Sequence, residues 1–307
     1  MKGFSMPLFH LSPAVAAALS EKRPVVALES TIITHGMPWP QNLEVARRIE
    51  ATVRESGAEP ATIAVIDGRL CIGLQDAQIE ALAKARGVAK LSRADMAVCM
   101  AEGRTGATTV AATMIAAQLA GIHVFATGGI GGVHKGAESS FDISADLREL
   151  AQTAVTVVAA GAKAILDLPK TMEVLETLGV PVIAYGQDQL PAFWSRSAGM
   201  RAPLRMDSPA AIARAHRMRA ALGLPGGQLI ANPIPEAAEI PRAELTPVIS
   251  KATRDAADHG ITGKDLTPYL LQRIYELTEG RSLEANIALV LSNARLGAQI
   301  ACELAKD

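Results

Sequence analysis

Cysteine is scarce in this chain. There are three, Cys71, Cys99 and Cys302, far apart and never in a CxxC pair. Such spacing argues against a disulfide framework and leads to an expected cytoplasmic location. Aromatic residues make up only 3%, which leaves few platforms on which bases could stack. Neither sign of charge is in surplus: 30 Lys and Arg face 31 Asp and Glu, a formal net charge of −1. A protein that coats a nucleic-acid polymer carries a basic excess, so no such partner is expected. The six histidines show no HxxxH or similar spacing, which argues against histidine-metal chemistry. The opening MKGFSMPLFHLSP is polar and broken by Pro7 and Pro13, unlike a secretory signal. Residues 105–133 lack Asp, Glu, Lys and Arg and are long enough to span a bilayer. They are rich in Ala, Gly and Thr, however, and contain Gln118, Gly121 and His123. They read as a buried helix feeding a buried strand, with no membrane partner.

What is present is a globular mixture of 307 residues, 49% hydrophobic and 20% charged, enough to bury a full core. Ser12-Pro13 reads as an N-cap and first helical residue. The apolar run 24–28 reads as an inner strand, and 43–56 as a helix closed by Gly57. Residues 61–66 and 69–72, joined by Asp67-Gly68, form a hairpin signal. Ser92 with Asp95 reads as a capping box that opens a helix to about 102. Helix 109–120, strand 122–127, helix 145–152, strand 154–160, helix 170–178 and strand 180–185 then alternate. A helix at 209–222, a strand at 228–231 and several helices in 241–307 follow. This order predicts one α/β domain over 1–307, layered α/β/α, with a parallel or mixed sheet and a helical C-terminal layer.

Ligands of open α/β sheets gather beyond the carboxyl ends of the strands, and three strand ends carry unusual polar residues. PVVAL ends in Glu29. A carboxylate there is either a partly desolvated general acid or an ordinary ion-pair partner. AVTVVAA ends in Gly161-Ala162-Lys163. Burial would leave the Lys163 amine neutral and nucleophilic, whereas snorkelling would leave it an ordinary surface cation. IHVFAT ends in a glycine run, 128–132, followed by Val133, His134 and Lys135, which suits either an anion nest or a close-packed turn. The stretch 105–109 offers a second anion site, at a helix N-terminus. Lys90 could reach an anion too. Ser144 reads as a helix N-cap with Asp146 in the first turn. Asp142 lies outside that helix, free to hold a hydrated Mg²⁺ or Mn²⁺.

Together the segments ALESTIITHGMPWPQNLE, PATIAVIDGRLCIGL, GATTVAATMIAAQLAGIHVFATGGIGGVH, SFDISADL, AGAKAILDLPKTMEVLETLGVPVIAY and GGQLIANPIP resemble the pseudouridine-5′-phosphate glycosidase family. The resemblance implies an α/β enzyme that reversibly cleaves the C–C glycosidic bond of pseudouridine 5′-phosphate to uracil and ribose 5-phosphate. It also implies a divalent cation such as Mn²⁺ and a homotrimer. Position by position, it makes Glu29 the proton donor, Lys163 the covalent nucleophile and Asp142 the metal ligand. Lys90, Val110, Ser144, Ala145 and Asp146 become substrate contacts, with Thr127, His134 and Asn286 as further pocket residues.

The chemistry favours an amine. Glycosidases with two carboxylates expel oxygen or nitrogen leaving groups, and uracil C5 is a far poorer one. A lysine adduct supplies an electron sink that a carboxylate cannot. Two other readings use the same residues: a Schiff-base lyase or aldolase acting on another sugar phosphate, and a non-catalytic sugar-phosphate sensor.

Overall fold

Short apolar runs with every residue buried become the inner strands of one sheet. The computed structural model describes residues 8–261, 263 and 266–306. Its strands are β1 (Phe9–Leu11), β2 (Val25–Leu28), β3 (Glu59–Ile66), β4 (Arg69–Ile72), β5 (Ala89–Leu91), β6 (Gly106–Thr108), β7 (Val124–Ala126), β8 (Thr156–Ala159), β9 (Val182–Tyr185), β10 (Leu204–Met206) and β11 (Gln228–Ala231). The sheet order is β1-β4-β3-β2-β7-β8-β11-β9-β10, with β6 pairing β3 and β5. All pairs are parallel except β3 with β4 and β3 with β6, so the expected mixed α/β architecture is present.

β3 is long enough to serve two neighbours. Its first half, to Thr62, pairs β2, while Ala64 and Val65 pair β6. The Asp67-Gly68 turn joins β3 to β4 as expected, with both residues at positive φ, the backbone that suits a two-residue hairpin. From β2 the chain moves to β3 on one side. From β7 it moves to β8 on the other. The β2–β7 seam is therefore the topological switch point, where such sheets bind ligands.

Helix Arg281–Leu304 covers β2, β7 and β8. Gly297 lets it approach closely: a Cβ there would stand 3.2 Å from Ala126 Cβ and 3.6 Å from Val26 Cγ1. This helix is long and apolar enough to cross a membrane by length and composition, yet Leu289, Val290, Ala294, Ala298 and Ile300 are buried within the core. Leu289, Val290 and Ile300 each contribute about 1.5–3 kcal/mol by burial. The Ala-rich helix Val110–Leu119 packs on β2 and β7 as well. Ser12 caps the first helix, Pro13–Ser20, through Val15 N, and the expected strand 228–231 is found as such.

Several expectations are corrected. Gly106–Thr108 is a strand, and only Thr109 caps the helix that follows. Asp95 Oδ2 does accept from Ser92 N at 3.0 Å, but the next helix is only Met96–Ala101. The strands β1, β5, β6, β7 and β10 are three residues each, too short to leave a pattern of alternation; β7 was legible only from the apolar residues that flank it.

Candidate active site

β2 ends with Leu28, so Glu29 leaves the sheet at the switch point, half-buried. Its two carboxylate oxygens each accept a threonine hydroxyl, Oε2 from Thr31 and Oε1 from Thr127. Thr31 opens the short helix Thr31–Thr34, and Thr127, buried, follows β7. Behind Glu29, buried Ser30 Oγ donates to Ile63 O at 2.6 Å and accepts from Thr108 N at 2.9 Å. Those bonds lock the end of β2 to β3 and β6.

Lys163 follows β8 through Gly161, whose φ of +82° is open to glycine. A Cβ on Gly161 would also lie 2.8 Å from Pro191 O. Lys163 N donates to Ile130 O at 3.1 Å, which ties the lysine loop to the glycine run. The side chain is half-buried. Among the described residues, its ammonium position has no carboxylate partner. Glu29, Lys163, Lys90 and Asn286 line one cleft, open to solvent, together with Thr31, His35 and Phe193. The convergence of these side chains is the main structural finding.

His134 is half-buried, and its backbone N donates to Asp142 O at 3.0 Å. Burial lowers the pKa of its ring; Asp142 opposes that shift, while Lys163 and Lys90 add to it. Those contributions place Asp142 and both lysines within electrostatic reach of one ring. His35 behaves alike: burial and then Lys90 lower its pKa, against a hydrogen bond with the Val88 backbone that raises it. Its Nδ1 lies 2.6 Å from Thr34 Oγ1.

The remaining expected residues form a separate cluster. Buried Asp146 accepts from Ala111 N at 3.0 Å and Gly131 N at 2.8 Å. Ser144 caps helix Ala145–Gln152 through Asp146 N. Val110 is buried at the start of its own helix, and Ala145 is exposed. None of these four lines the cleft shared by Glu29 and Lys163. The Asp146 carboxylate ties the glycine run to the helix that begins at Val110, and removing it would leave the buried Ala111 N–H unpaired, at about 1–3 kcal/mol.

Both proposed anion sites look different once folded. In the glycine run, Ile130 N, Gly131 N, Val133 N and His134 N all bond within the protein. The glycines are there because side chains press on them. A Cβ on Gly129 would lie 2.7 Å from the Phe193 ring, and one on Gly131 2.2 Å from Ser144 Oγ. Close packing accounts for Gly129, Gly131 and Gly132, while Gly128 and Gly129 line the cleft itself. The helix N-terminus at Val110 has Ala111 N and Ala112 N already bonded, to Asp146 and Thr109.

No group of three or more His, Cys, Asp and Glu able to hold a metal occurs among the described residues. Asp142 offers a single half-buried carboxylate. That donor set does not make a protein cage, but it suits a hard cation that keeps most of its water.

The sequence marks Thr31 only as part of the polar Glu29-Ser30-Thr31 end of the first inner strand, and it does not mark His35 or Phe193. Thr31 and His35 sit in the segment directly after β2, where their distance from a strand end was the available signal. Phe193 is buried with φ +62°, a rare backbone for an aromatic residue, of a kind that clusters at functional sites. Nothing in its local pattern marks it.

Residues 14–303 match the family model described as "Indigoidine synthase A like protein". Among curated relatives, the pseudouridine-5′-phosphate glycosidase of Paracoccus denitrificans (strain Pd 1222) is 70% identical, over 97% of this chain and 99% of its own. The protein of that name from Roseobacter denitrificans (strain ATCC 33942 / OCh 114) is 71% identical, over 97% and 96%. Among solved structures, a prealnumycin C-glycosynthase in complex with ribulose 5-phosphate matches with a TM-score of 0.90 at 41% identity, covering 98% of both chains. An indigoidine synthase A-like protein from Thermotoga maritima matches at 0.87 and 34% identity, covering 93% of this chain and 94% of its own.

Proposed function

The chain belongs to the pseudouridine-5′-phosphate glycosidase family, and we propose that it is an enzyme that reversibly cleaves the C–C glycosidic bond of pseudouridine 5′-phosphate, giving uracil and ribose 5-phosphate. The observation that carries this reading is the opening of Glu29 and Lys163 into one cleft from the ends of two different strands. The amine has no carboxylate partner there among the described residues.

In the proposed mechanism, Glu29 protonates the ribose ring oxygen. The ring opens and leaves C1′ conjugated to the uracil carbonyl. The unprotonated Lys163 amine adds to C1′, forming the N–C bond. Protonation of uracil C5 then lets the C1′–C5 bond break, with the nitrogen lone pair forming the C=N bond of a Schiff base as uracil leaves. Water adds to that Schiff base and releases ribose 5-phosphate and the free amine. Thr31 and Thr127 orient the Glu29 carboxyl through their hydroxyls. Lys90 supplies positive charge for the phosphate, and the Asn286 amide offers both a donor and an acceptor to the uracil edge. His134, whose pKa is lowered chiefly by burial, can donate or accept one proton.

Asp142, with water and substrate oxygens, would hold a hydrated Mn²⁺ or Mg²⁺, whose positive charge would offset that of an anionic substrate. The homotrimer and the cytoplasmic setting belong to the same proposal.

The test is uracil release from pseudouridine 5′-phosphate, followed with and without Mn²⁺ and beside a panel of other sugar phosphates. Uracil release stimulated by Mn²⁺ supports the reading. Turnover of another sugar phosphate alone would replace it with the lyase or aldolase reading, and ligand binding without any turnover with a sensor.

A further inference from the structure

Two buried amides lie behind the site. Asn293, fully buried on helix Arg281–Leu304, donates from Nδ2 to Thr127 O at 2.8 Å and to Gly128 O at 3.3 Å. Its Oδ1 accepts from Asn232 Nδ2 at 2.9 Å. Asn232 follows β11; its backbone N donates to Ala159 O at 2.8 Å, and its Nδ2 also reaches Ser292 Oγ at 3.1 Å. The pair therefore ties the ends of β7, β8 and β11 to one helix.

Past the end of β7 the Gly128 carbonyl still accepts from Ala160 N of the neighbouring chain segment at 2.9 Å, so the buried carbonyl that takes its donor from Asn293 is that of Thr127. Holding the Thr127 carbonyl fixes the peptide plane between Thr127 and Gly128, and so steadies the backbone from which the Thr127 hydroxyl reaches Glu29. The same helix carries Asn286, seven residues earlier and so on the same face two turns away. A Cβ built on Gly128 would lie 3.7 Å from Asn286 Oδ1. One latch thus sets the partner of the proton donor and the seat of a cleft amide.

We infer that Asn293, backed by Asn232, is a positioning residue for catalysis: it aims Thr127 at Glu29. This rests on the reaction proposed above. A purely structural amide would change stability but would act independently of Thr127, so coupling to Thr127 is the feature that separates the two roles.

The experiment measures kcat and KM for uracil release by wild type, Asn293→Ala, Asn232→Ala, Thr127→Val and the two double variants with Thr127→Val. Circular dichroism reports folding. Asn293→Ala should lower kcat by about tenfold, part of what a general acid supplies, with KM within about threefold. On the Thr127→Val background it should cost less than about twofold more. Asn232→Ala should show a smaller loss with the same coupling, and it carries the test if Asn293→Ala does not fold. A folded Asn293→Ala with wild-type kcat, or losses that multiply with that of Thr127→Val, would overturn the inference alone. Absence of uracil release by wild type would overturn the reaction and the inference together.

Discussion

The two ends of the sheet handle their polar groups in opposite ways. At the amino ends of β8 and β11, His216 Nδ1 lies 3.0 Å from Thr156 Oγ1, which accepts from Gln228 Nε2 at 3.1 Å. The His216 ring meets that of His123 edge-on at 5.4 Å. Burial, aided by His123, Arg217 and Arg219, pushes the His216 pKa down to about 4. At the carboxyl ends of β2 and β8, Glu29 is held by two hydroxyls, and Lys163 faces it across an open cleft. The strongly displaced His216 titration therefore belongs to a packing cluster far from the cleft, one in which Gln228 Oε1 is buried without a hydrogen-bond partner among the described residues. The chemistry sits where groups of different kinds converge on empty space. A perturbed pKa marks a functional site only when geometry agrees.

The largest test of that contrast is Lys163→Ala. It removes the nucleophile from an exposed cleft and should cut uracil release by at least about 10⁴-fold. The circular dichroism spectrum should stay that of wild type; undiminished turnover would assign the lysine to packing. Glu29→Gln keeps the shape but removes the transferable proton, and kcat should fall by about 10²–10⁴-fold. An unaltered kcat would make Glu29 a strand-end hydrogen-bond acceptor. Asp142→Ala should raise the Mn²⁺ concentration needed for half-maximal activity by about 10–100-fold, the range seen when a metal site is weakened. Wild-type activity that ignores chelation by EDTA would remove the metal from the proposal.

The smallest effect belongs to the other end. The His216 pKa is lowered on folding, so between about pH 4 and its unfolded value of 6.5 the unfolded chain binds more protons. Its contribution is complete above pH 6.5 and is lost as the pH falls to about 4. For a ring with part of its surface in solvent, the loss is no more than about 2 kcal/mol. Thermal melts between pH 7 and 4 should show a shallower decline for His216→Asn than for wild type, with activity at pH 7 retained. Equal slopes would show that His216 does not link folding to pH.

How much could be read in advance follows from the same physics. Residues 24–28 and 228–231 were legible because inner parallel strands are apolar throughout, and the β3–β4 turn because Asp-Gly suits its backbone. Glu29 and Lys163 stood out as polar residues ending such strands. β5, which carries Lys90, was not legible because three residues show no period. The glycine run suggested open amides, yet Ile130 N, Gly131 N and Val133 N bond inward, and Gly129, Gly131 and Gly132 make room for Phe193, Ser144 and Thr171. Asn293 is seen only in three dimensions: on a helix it reads as one more polar position, and only the end of β7 shows why an amide is buried there.

The central claim is a covalent bond from Lys163 to C1′ of the sugar. It is tested most directly by adding borohydride to the enzyme with ribose 5-phosphate and mapping the modified peptide by mass spectrometry. Reduction should freeze a ribitol phosphate adduct on Lys163 and inactivate the enzyme in proportion to labelling. An enzyme that releases uracil yet stays unlabelled and active after the same treatment would contradict the account.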